Sequence, residues 1–171
     1  MLFRSDARAT ALTQNFAGQW LQLRLLGVLE PDRQKFPEFD GALRDAMRGE
    51  TEHFFEHIVK QDRPVTDFLS ADYTFVNERL ATHYGLDGVN GSRFRRVKLP
   101  NHNQRGGPLA QGTILVTTSY PDRTSPVLRG KWLLNNVFGL AVPAPPPGVN
   151  ATPEAPPGKI PPGIQIGRAH V

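Results

Sequence analysis

The positions of the prolines constrain this chain more than any other feature, because proline breaks the interior of a helix. Pro31 and Pro37 exclude the segment around them from any helix, and Pro64 limits the next periodic stretch. Pro126 instead follows Ser125 directly, which is typical of a helix start. Between the prolines, apolar residues recur three and four positions apart, as in amphipathic helices. The pattern predicts a mostly α-helical chain.

Five helical segments follow from this spacing. They run from Ser5 to about Leu26, from Asp40 to about Lys60, around Val65 to Leu69, from near Asp72 to Gly85, and from Ser125 to Gly139. Ser, Asp and Asn at the starts can accept hydrogen bonds from the first free amides, so Ser5, Asp40 and Ser125 are predicted N-caps. The predicted buried stripes are Leu12, Phe16, Trp20, Leu23 and Leu26 in the first helix, and Leu43, Ala46, Met47, Phe54, Phe55 and Ile58 in the second.

The remaining segments are extended or irregular. Alternation from Phe94 to Leu99 predicts a strand, whereas Leu109 to Val116 fits either a short helix or a buried strand. After Val142 the composition is dominated by proline and glycine, which predicts an extended or disordered linker. The predicted fold is therefore a small helical bundle with a minor extended segment and a Pro-rich C-terminal linker.

Composition excludes several kinds of function. The 171 residues contain no cysteine, so disulfides, thiol catalysis and covalently attached haem are excluded within them. The formal charge of +4 is modest, and Arg93, Arg95 and Arg96 form its one cluster. We therefore do not expect nucleic acid as a partner. No apolar run is long enough to span a bilayer, and no signal peptide opens the chain.

An ordered series of motifs identifies a family resemblance. In the first half they are Phe16-Ala17-Gly18-Gln19-Trp20-Leu21, Phe36-Pro37-Glu38-Phe39-Asp40, Asp72-Tyr73-Thr74-Phe75-Val76-Asn77-Glu78-Arg79-Leu80-Ala81 and His83-Tyr84-Gly85. In the second half they are Arg105-Gly106-Gly107-Pro108-Leu109, Thr124-Ser125-Pro126-Val127 and Arg129-Gly130-Lys131-Trp132. Together they resemble the paired domains of unknown function in large planctomycete-type exported proteins that also carry cytochrome-c-like domains.

The resemblance implies an organisation and a location. It covers nearly all of 1–164 and implies an N-terminally truncated helical domain over 1–104. The start of a second domain of unknown function, with its Pro-rich linker, would occupy 105–164. Residues 166–171 can be back-translated to a common sequencing-adapter sequence, so we interpret 165–171 as adapter read-through and the chain as a fragment. A periplasmic or extracellular location is implied by the resemblance alone.

The leading functional hypothesis follows from the same resemblance. The chain would be a non-catalytic or scaffold module that positions a haem-bearing neighbour or a partner. It would hold no cofactor itself, and haem c is implied in a C-terminal part beyond this segment. The expected partners are neighbouring domains of the same full-length chain.

Two enzymatic hypotheses compete with it. In the first, a hydrolase or oxidoreductase site forms between the two halves from Glu50, Asp72, His102 and Arg123, and these side chains should then converge in one pocket. In the second, His53, Glu56 and His57 match the H-x-x-E-H pattern of a zinc-dependent hydrolase. Histidines one helical turn apart can both reach one metal ion, but no third ligand is marked.

Other polar and aromatic residues are assigned structural or interaction roles. They are Trp20, Asn77, Glu78, Arg79, Ser125, Arg129 and Trp132. Asp72 or Asn77 is expected to cap a helix, and Glu78 suits its positive N-terminal end. Arg123 and Arg129 are expected to form a buried ion pair with a carboxylate such as Glu50 or Glu78, or to bind a haem propionate.

Overall fold

The computed structural model describes residues 9–99 and 106–143. Its elements in chain order are α1 (Ala9–Ala11), a π-helix (Leu12–Ala17), α2 (Gly18–Trp20), a 3-10 helix (Leu23–Gly27), α3 (Gly41–Lys60), α4 (Asp67–Ser70), β1 (Tyr73–Val76), α5 (Glu78–Tyr84), β2 (Arg95–Lys98), a 3-10 helix (Pro108–Ala110), α6 (Gly112–Thr117), α7 (Pro126–Trp132) and a π-helix (Leu133–Val137). The described part is mostly α-helical with a two-stranded sheet. The predicted linker lies outside the described residues.

Helix α3 is the centre of the fold, and its position was correctly predicted. The Asp40 carboxylate caps it by accepting a hydrogen bond from the Leu43 amide at 2.6 Å. Its predicted stripe is buried, from Leu43, which has no exposed surface, to Ile58. Glu50 and Thr51 are buried on the same helix, although neither is apolar.

The predicted strand near residue 95 is confirmed, and it has a partner that the sequence did not reveal. The sheet is antiparallel, with Tyr73 opposite Lys98 and Val76 opposite Arg95. Asn77 directly follows β1 and caps α5, its side chain accepting from the Leu80 amide at 3.0 Å. Asn77 rather than Asp72 is therefore the cap. The predicted end of α5 at Gly85 is confirmed by a left-handed φ of 68°.

The N-terminal stretch is less regular than the single helix predicted from Ser5 to Leu26. Hydrogen bonds of the π type widen the turns over Leu12–Ala17, and Gln22 adopts a left-handed φ of 57° that separates α2 from the 3-10 helix after it. A π-turn shifts the helical register. As a result Ala17 is buried while Phe16 is 52% exposed, so the prediction of Phe16 as a stripe residue was wrong. Ser5 lies outside the described residues.

The second half packs against the first. The segment from Leu109 to Val116, predicted as either a short helix or a buried strand, forms a 3-10 turn followed by the helix α6. Ser125 caps α7 as predicted, accepting from the Leu128 amide at 3.2 Å. One buried cluster contains Ala17, Leu21 and Phe55 of the first half together with Ile114 and Trp132 of the second. Burial of shared apolar surface holds the halves together.

The Asp40 cap makes a pH-dependent contribution to stability. Its hydrogen bond from the Leu43 amide, assisted by Arg79, lowers the pKa of this carboxyl against opposing desolvation. A carboxyl whose pKa is lowered by folding stabilises the fold at pH values above its unfolded-state pKa of about 3.9. This stabilisation is lost as pH falls through the folded-state pKa. We expect Asp40→Ala to reduce the free energy of unfolding by about 1 kcal/mol at pH 7. As pH falls through the lowered folded-state pKa, the deficit should shrink because the wild-type cap becomes protonated.

Urea unfolding at several pH values measures this effect. Asp40→Asn is the matched control, because asparagine caps a helix without titrating. The wild-type protein should lose stability relative to Asp40→Asn on acidification. A difference between the two proteins that stays constant throughout acidification would contradict the assignment of the cap.

Candidate functional site

A buried carboxylate lies at the centre of the described structure. Glu50 is 1% exposed, and its Oε1 accepts a hydrogen bond from the Thr74 hydroxyl at 2.5 Å. Its Oε2 accepts from the Tyr84 hydroxyl at 2.6 Å. The Tyr84 oxygen in turn accepts from the Gly112 amide at 2.7 Å. We call Glu50, Thr74, Tyr84 and Gly112 the Glu50 network.

Local structure explains why these groups meet. Glu50 lies three residues after Met47 and four before Phe54, so it shares their buried face of α3. Thr74 alternates with its strand neighbours and turns the same way as buried Val76. Tyr84 is the last residue of α5, immediately before the turn at Gly85.

Gly112 can approach Tyr84 and Met47 closely because it has no side chain. A Cβ added there would lie 2.8 Å from Met47 Cγ and 2.9 Å from the Tyr84 hydroxyl oxygen. Such distances are shorter than carbon contacts tolerate, so any side chain would displace Met47 or Tyr84. Only glycine therefore fits at the start of α6 in this arrangement.

A small cleft lies beside the network. It contains about 230 Å³ of space that is partly open to solvent. Its lining residues are Glu50, Tyr73, Thr74, Tyr84, Leu99, Gly107, Ala110 and Gln111. Gln111 is 3% exposed, and neither its amide nitrogen nor its amide oxygen has a hydrogen-bond partner within the described structure. The cleft is therefore lined by a carboxylate, hydroxyls and a primary amide.

The structure does not bring the predicted catalytic set together. Asp72 lies on the surface with its carboxylate 3.8 Å from Lys98 Nζ. Arg123 is 3.4 Å from the Asp122 carboxylate and places its guanidinium 4.6 Å from the centre of the Tyr120 ring. Neither Asp72 nor Arg123 lines the cleft beside Glu50. His102 lies outside the described residues.

The two histidines of the zinc hypothesis contact aromatic rings. The ring of exposed His53 stacks on Phe94 at 4.5 Å, and its Nδ1 lies 2.7 Å from the Gly49 carbonyl oxygen. His57 packs against Phe75 at 5.2 Å. Glu56 instead pairs with Lys60 at 2.6 Å. Within residues 9–99 and 106–143, no three His, Asp or Glu side chains are grouped so that they could hold a metal ion.

The surroundings of His57 lower the pKa of its imidazole. Desolvation by burial lowers the pKa of His57, and the nearby charges of Arg96 and Arg63 lower it further. We expect its ring protons to titrate below the ordinary value of about 6.5 in an NMR experiment. Arg96→Gln should raise this pKa, whereas Arg33→Gln, at an exposed position in another segment, should leave it unchanged. A pKa above 6.5 in the wild-type protein would contradict this arrangement.

Several predicted structural residues make specific contacts. Trp20 Nε1 donates to the Asn136 carbonyl at 2.7 Å, and the Asn136 side chain donates back to the Trp20 carbonyl at 2.6 Å. Arg79 donates to the Glu38 carbonyl at 2.6 Å. Glu78 accepts from the Gly91 amide at 2.6 Å, which anchors the loop after α5.

The predicted buried ion pair of the second-half arginines was wrong. Arg123 pairs with its neighbour Asp122, while the half-buried Arg129 places its Nε 3.5 Å from the Thr118 hydroxyl. Desolvation lowers the pKa of Arg129. Trp132 is 6% exposed and packs into the core cluster shared by both halves. Apolar packing and the Glu50 network, rather than these arginines, join the halves.

Sequence reasoning identified Glu50 but missed the groups around it. Thr74, Tyr84 and Gly112 carry no periodic signal that would place them beside a carboxylate. Gln111 carries no such signal either. One sequence signal does indicate donors near Glu50, namely the position of this glutamate inside the apolar stripe of α3. An unpaired buried carboxylate is strongly unfavourable, so a glutamate at such a position implies nearby hydrogen-bond donors.

The comparisons agree with the motif resemblance. Residues 1–86 match the family model PSD4, described as a protein of unknown function (DUF1592). Residues 105–164 match PSCyt3, also described as a protein of unknown function (DUF1588). No curated protein and no solved structure matches the chain. In the described part, none of the helices combines the length and hydrophobicity needed to cross a bilayer. Since the first match spans half of the sequence, this chain belongs to the PSD4 family of proteins of unknown function (DUF1592).

Proposed function

We propose that this chain is a non-catalytic scaffold module of an exported multidomain protein, and that it positions a cytochrome-c-like neighbour carrying haem c. The single observation that carries the proposal is the Glu50 network. Its carboxylate oxygens accept hydrogen bonds from Thr74 and Tyr84, and the Tyr84 oxygen accepts one from Gly112. A carboxylate engaged in this way suits a structural connection better than proton transfer or nucleophilic attack.

The network supports a scaffold role because it links the two matched regions. Glu50 and Tyr84 lie in the PSD4 match, and Gly112 lies in the PSCyt3 match. The shared apolar cluster, which includes Phe55 and Trp132, joins the same two regions. A module built this way can hold a neighbour in a defined orientation, because its own two parts are fixed to each other.

An apolar surface offers a place for such a neighbour. Leu134, Phe138, Leu140 and Val142 are each at least 37% exposed, and all lie within ten residues of one another in the chain. Grouped exposed apolar residues mark interaction sites more often than isolated ones do. Haem c, the exported location and the neighbouring domain come from the family resemblance, and this surface is where we place the contact.

The test uses this chain and a purified cytochrome-c-like domain encoded in the same gene. We expect oxidised haem, which is paramagnetic, to broaden NMR signals of residues 133–142 when the domain is added. Phe138→Ser should weaken this binding at least tenfold by calorimetry. Val28→Ser is the matched control, because Val28 is 74% exposed in another segment, and it should bind like the wild type.

Two outcomes would overturn the proposal. One is the absence of binding, with no broadening at millimolar concentrations of the haem-bearing domain. The other is hydrolytic or redox turnover by the purified chain that is abolished by Glu50→Gln while the circular dichroism spectrum is unchanged. The second result would place chemistry at the cleft beside Glu50.

A further inference from the structure

Strand β2 is one edge of the sheet, and its surroundings differ from those of β1. The described sheet has two strands, so each has one side without a strand neighbour. The residues of β1 are mostly buried, and β1 packs against α3. In β2 the side chains of Arg95, Arg96 and Lys98 are all exposed. Among residues 9–99 and 106–143, no strand covers the outer side of β2.

The hydrogen-bond alternation determines which backbone groups face outward. The Leu99 amide donates to the Asp72 carbonyl at 2.7 Å, so these two residues form a hydrogen-bonded pair. In an antiparallel sheet such pairs alternate with pairs that point their N–H and C=O groups away from each other. With Tyr73 opposite Lys98, the amides and carbonyls of Lys98 and Arg96 point to the outer side.

The same edge carries a high density of positive charge. Arg93, Arg95, Arg96 and Lys98 are exposed within six consecutive residues. Lys98 lies 3.8 Å from the Asp72 carboxylate, and both side chains are well exposed, so this pair provides weak neutralisation. Arg96 places its guanidinium 4.1 Å from the centre of the Tyr73 ring, which fixes its position without neutralising its charge.

Protecting an edge strand from self-association does not require four basic residues. Charged side chains on an edge strand commonly prevent pairing between copies of the same protein. Four neighbouring cations repel a second basic strand but attract an acidic one. The positive charge of β2 therefore favours pairing with acidic strands and disfavours pairing with basic ones.

We propose that the outer edge of β2 binds an extended acidic segment of a partner protein by strand addition. The outward amides and carbonyls of Arg96 and Lys98 would supply the main-chain hydrogen bonds. The side chains of Arg96 and Lys98, two positions apart and therefore on one face of β2, would pair with carboxylates on alternate residues of the partner strand. Main-chain pairing provides affinity for an extended segment, and the basic side chains select acidic sequences.

The first experiment measures protection of individual amides. The probe is an acetylated eight-residue peptide of alternating glutamate and threonine, added to the intact chain at 20 mM salt. We expect hydrogen exchange to slow at the amides of Arg96 and Lys98. The amides of Val97 and Arg95, which already face β1, should change less. The same peptide with lysine in place of glutamate should have no effect. Unchanged exchange at Arg96 and Lys98 under saturating peptide would overturn the proposal.

A pair of variants separates strand addition from simple charge attraction. Lys98→Ala removes one charge, whereas Lys98→Pro removes the same charge and also the outward amide, which an edge strand tolerates. Lys98→Pro should bind the acidic peptide about tenfold more weakly than Lys98→Ala. Equal affinities would overturn strand addition. Heparin or duplex DNA that binds without being displaced by the peptide would also contradict it, since the basic edge would then recognise a different polymer.

Discussion

Replacing Glu50 by alanine is expected to lower the free energy of unfolding by about 2–5 kcal/mol. The substitution removes the acceptor for both the Thr74 and Tyr84 hydroxyls and leaves a cavity where the carboxylate was. Buried donors without acceptors are costly because unfolding returns them to water. The effect should be large even though Glu50 makes no contribution to the apolar core.

A series at this position separates its contributions. Glu50→Gln keeps the shape and can accept from one hydroxyl, so it should lose less stability than Glu50→Ala. Tyr84→Phe should cost about 1–3 kcal/mol, because it deprives Gly112 of its acceptor as well as Glu50 of a donor. Asp45→Ala is the matched control, since Asp45 is an exposed carboxylate on the same helix.

Urea unfolding, followed by circular dichroism and by tryptophan fluorescence, measures these effects. The Glu50 variants should show lower midpoints with both signals, while Asp45→Ala should stay within about 0.5 kcal/mol of the wild type. If Glu50→Ala were as stable as Asp45→Ala, the carboxylate would not be the structural connection that we describe, and the scaffold proposal would lose its main support.

Gly107→Ala is expected to destabilise the fold by a comparable amount, about 3 kcal/mol or more. Gly107 has φ of 60° and ψ of −173°, a combination that is accessible to glycine and strained for alanine. In addition, a Cβ at this position would overlap the backbone carbonyl of Phe68. Backbone atoms cannot move aside as a flexible side chain can, so the 3-10 turn and α4 would have to separate.

Gly139→Ala isolates the conformational part of this effect. Gly139 has a positive φ of 65° and open space where a Cβ would lie. Its substitution should cost only the strain of a left-handed alanine, about 1 kcal/mol. Differential scanning calorimetry should therefore show a much larger fall in Tm for Gly107→Ala. Equal falls in Tm for the two variants would mean that the close approach to Phe68 does not contribute.

Much of the helical structure could be predicted because it depends on local chemistry. Asp40 and Ser125 act as caps, and Gly85 and Gly139 have the left-handed φ values expected where helices end. Each of these signals depends on a residue's own side chain and its neighbours within four positions. The apolar stripe of α3 was equally clear, because a 20-residue helix contains enough turns to show its period.

The irregular elements could not be predicted, because their conformation depends on distant contacts. Tyr73–Val76 becomes a strand since Arg95–Lys98 pairs with it across an intervening helix and loop. The π-helical turns and the left-handed Gln22 divide the first helix where its Trp20 is tied to Asn136, 116 positions later. Such long-range bonds leave no periodic trace in the sequence.

The sequence by itself determined the family, the mostly helical class, the helix ends and the absence of cysteine chemistry. Tertiary structure alone decided that Glu50 is paired with Thr74 and Tyr84, that Asp72 and Arg123 lie away from it, and that the two matched regions share a core. The physical reason is that helix signals act over a few residues. A buried carboxylate instead requires donors from other elements, here β1 and α5, and only the folded chain brings them within hydrogen-bonding distance.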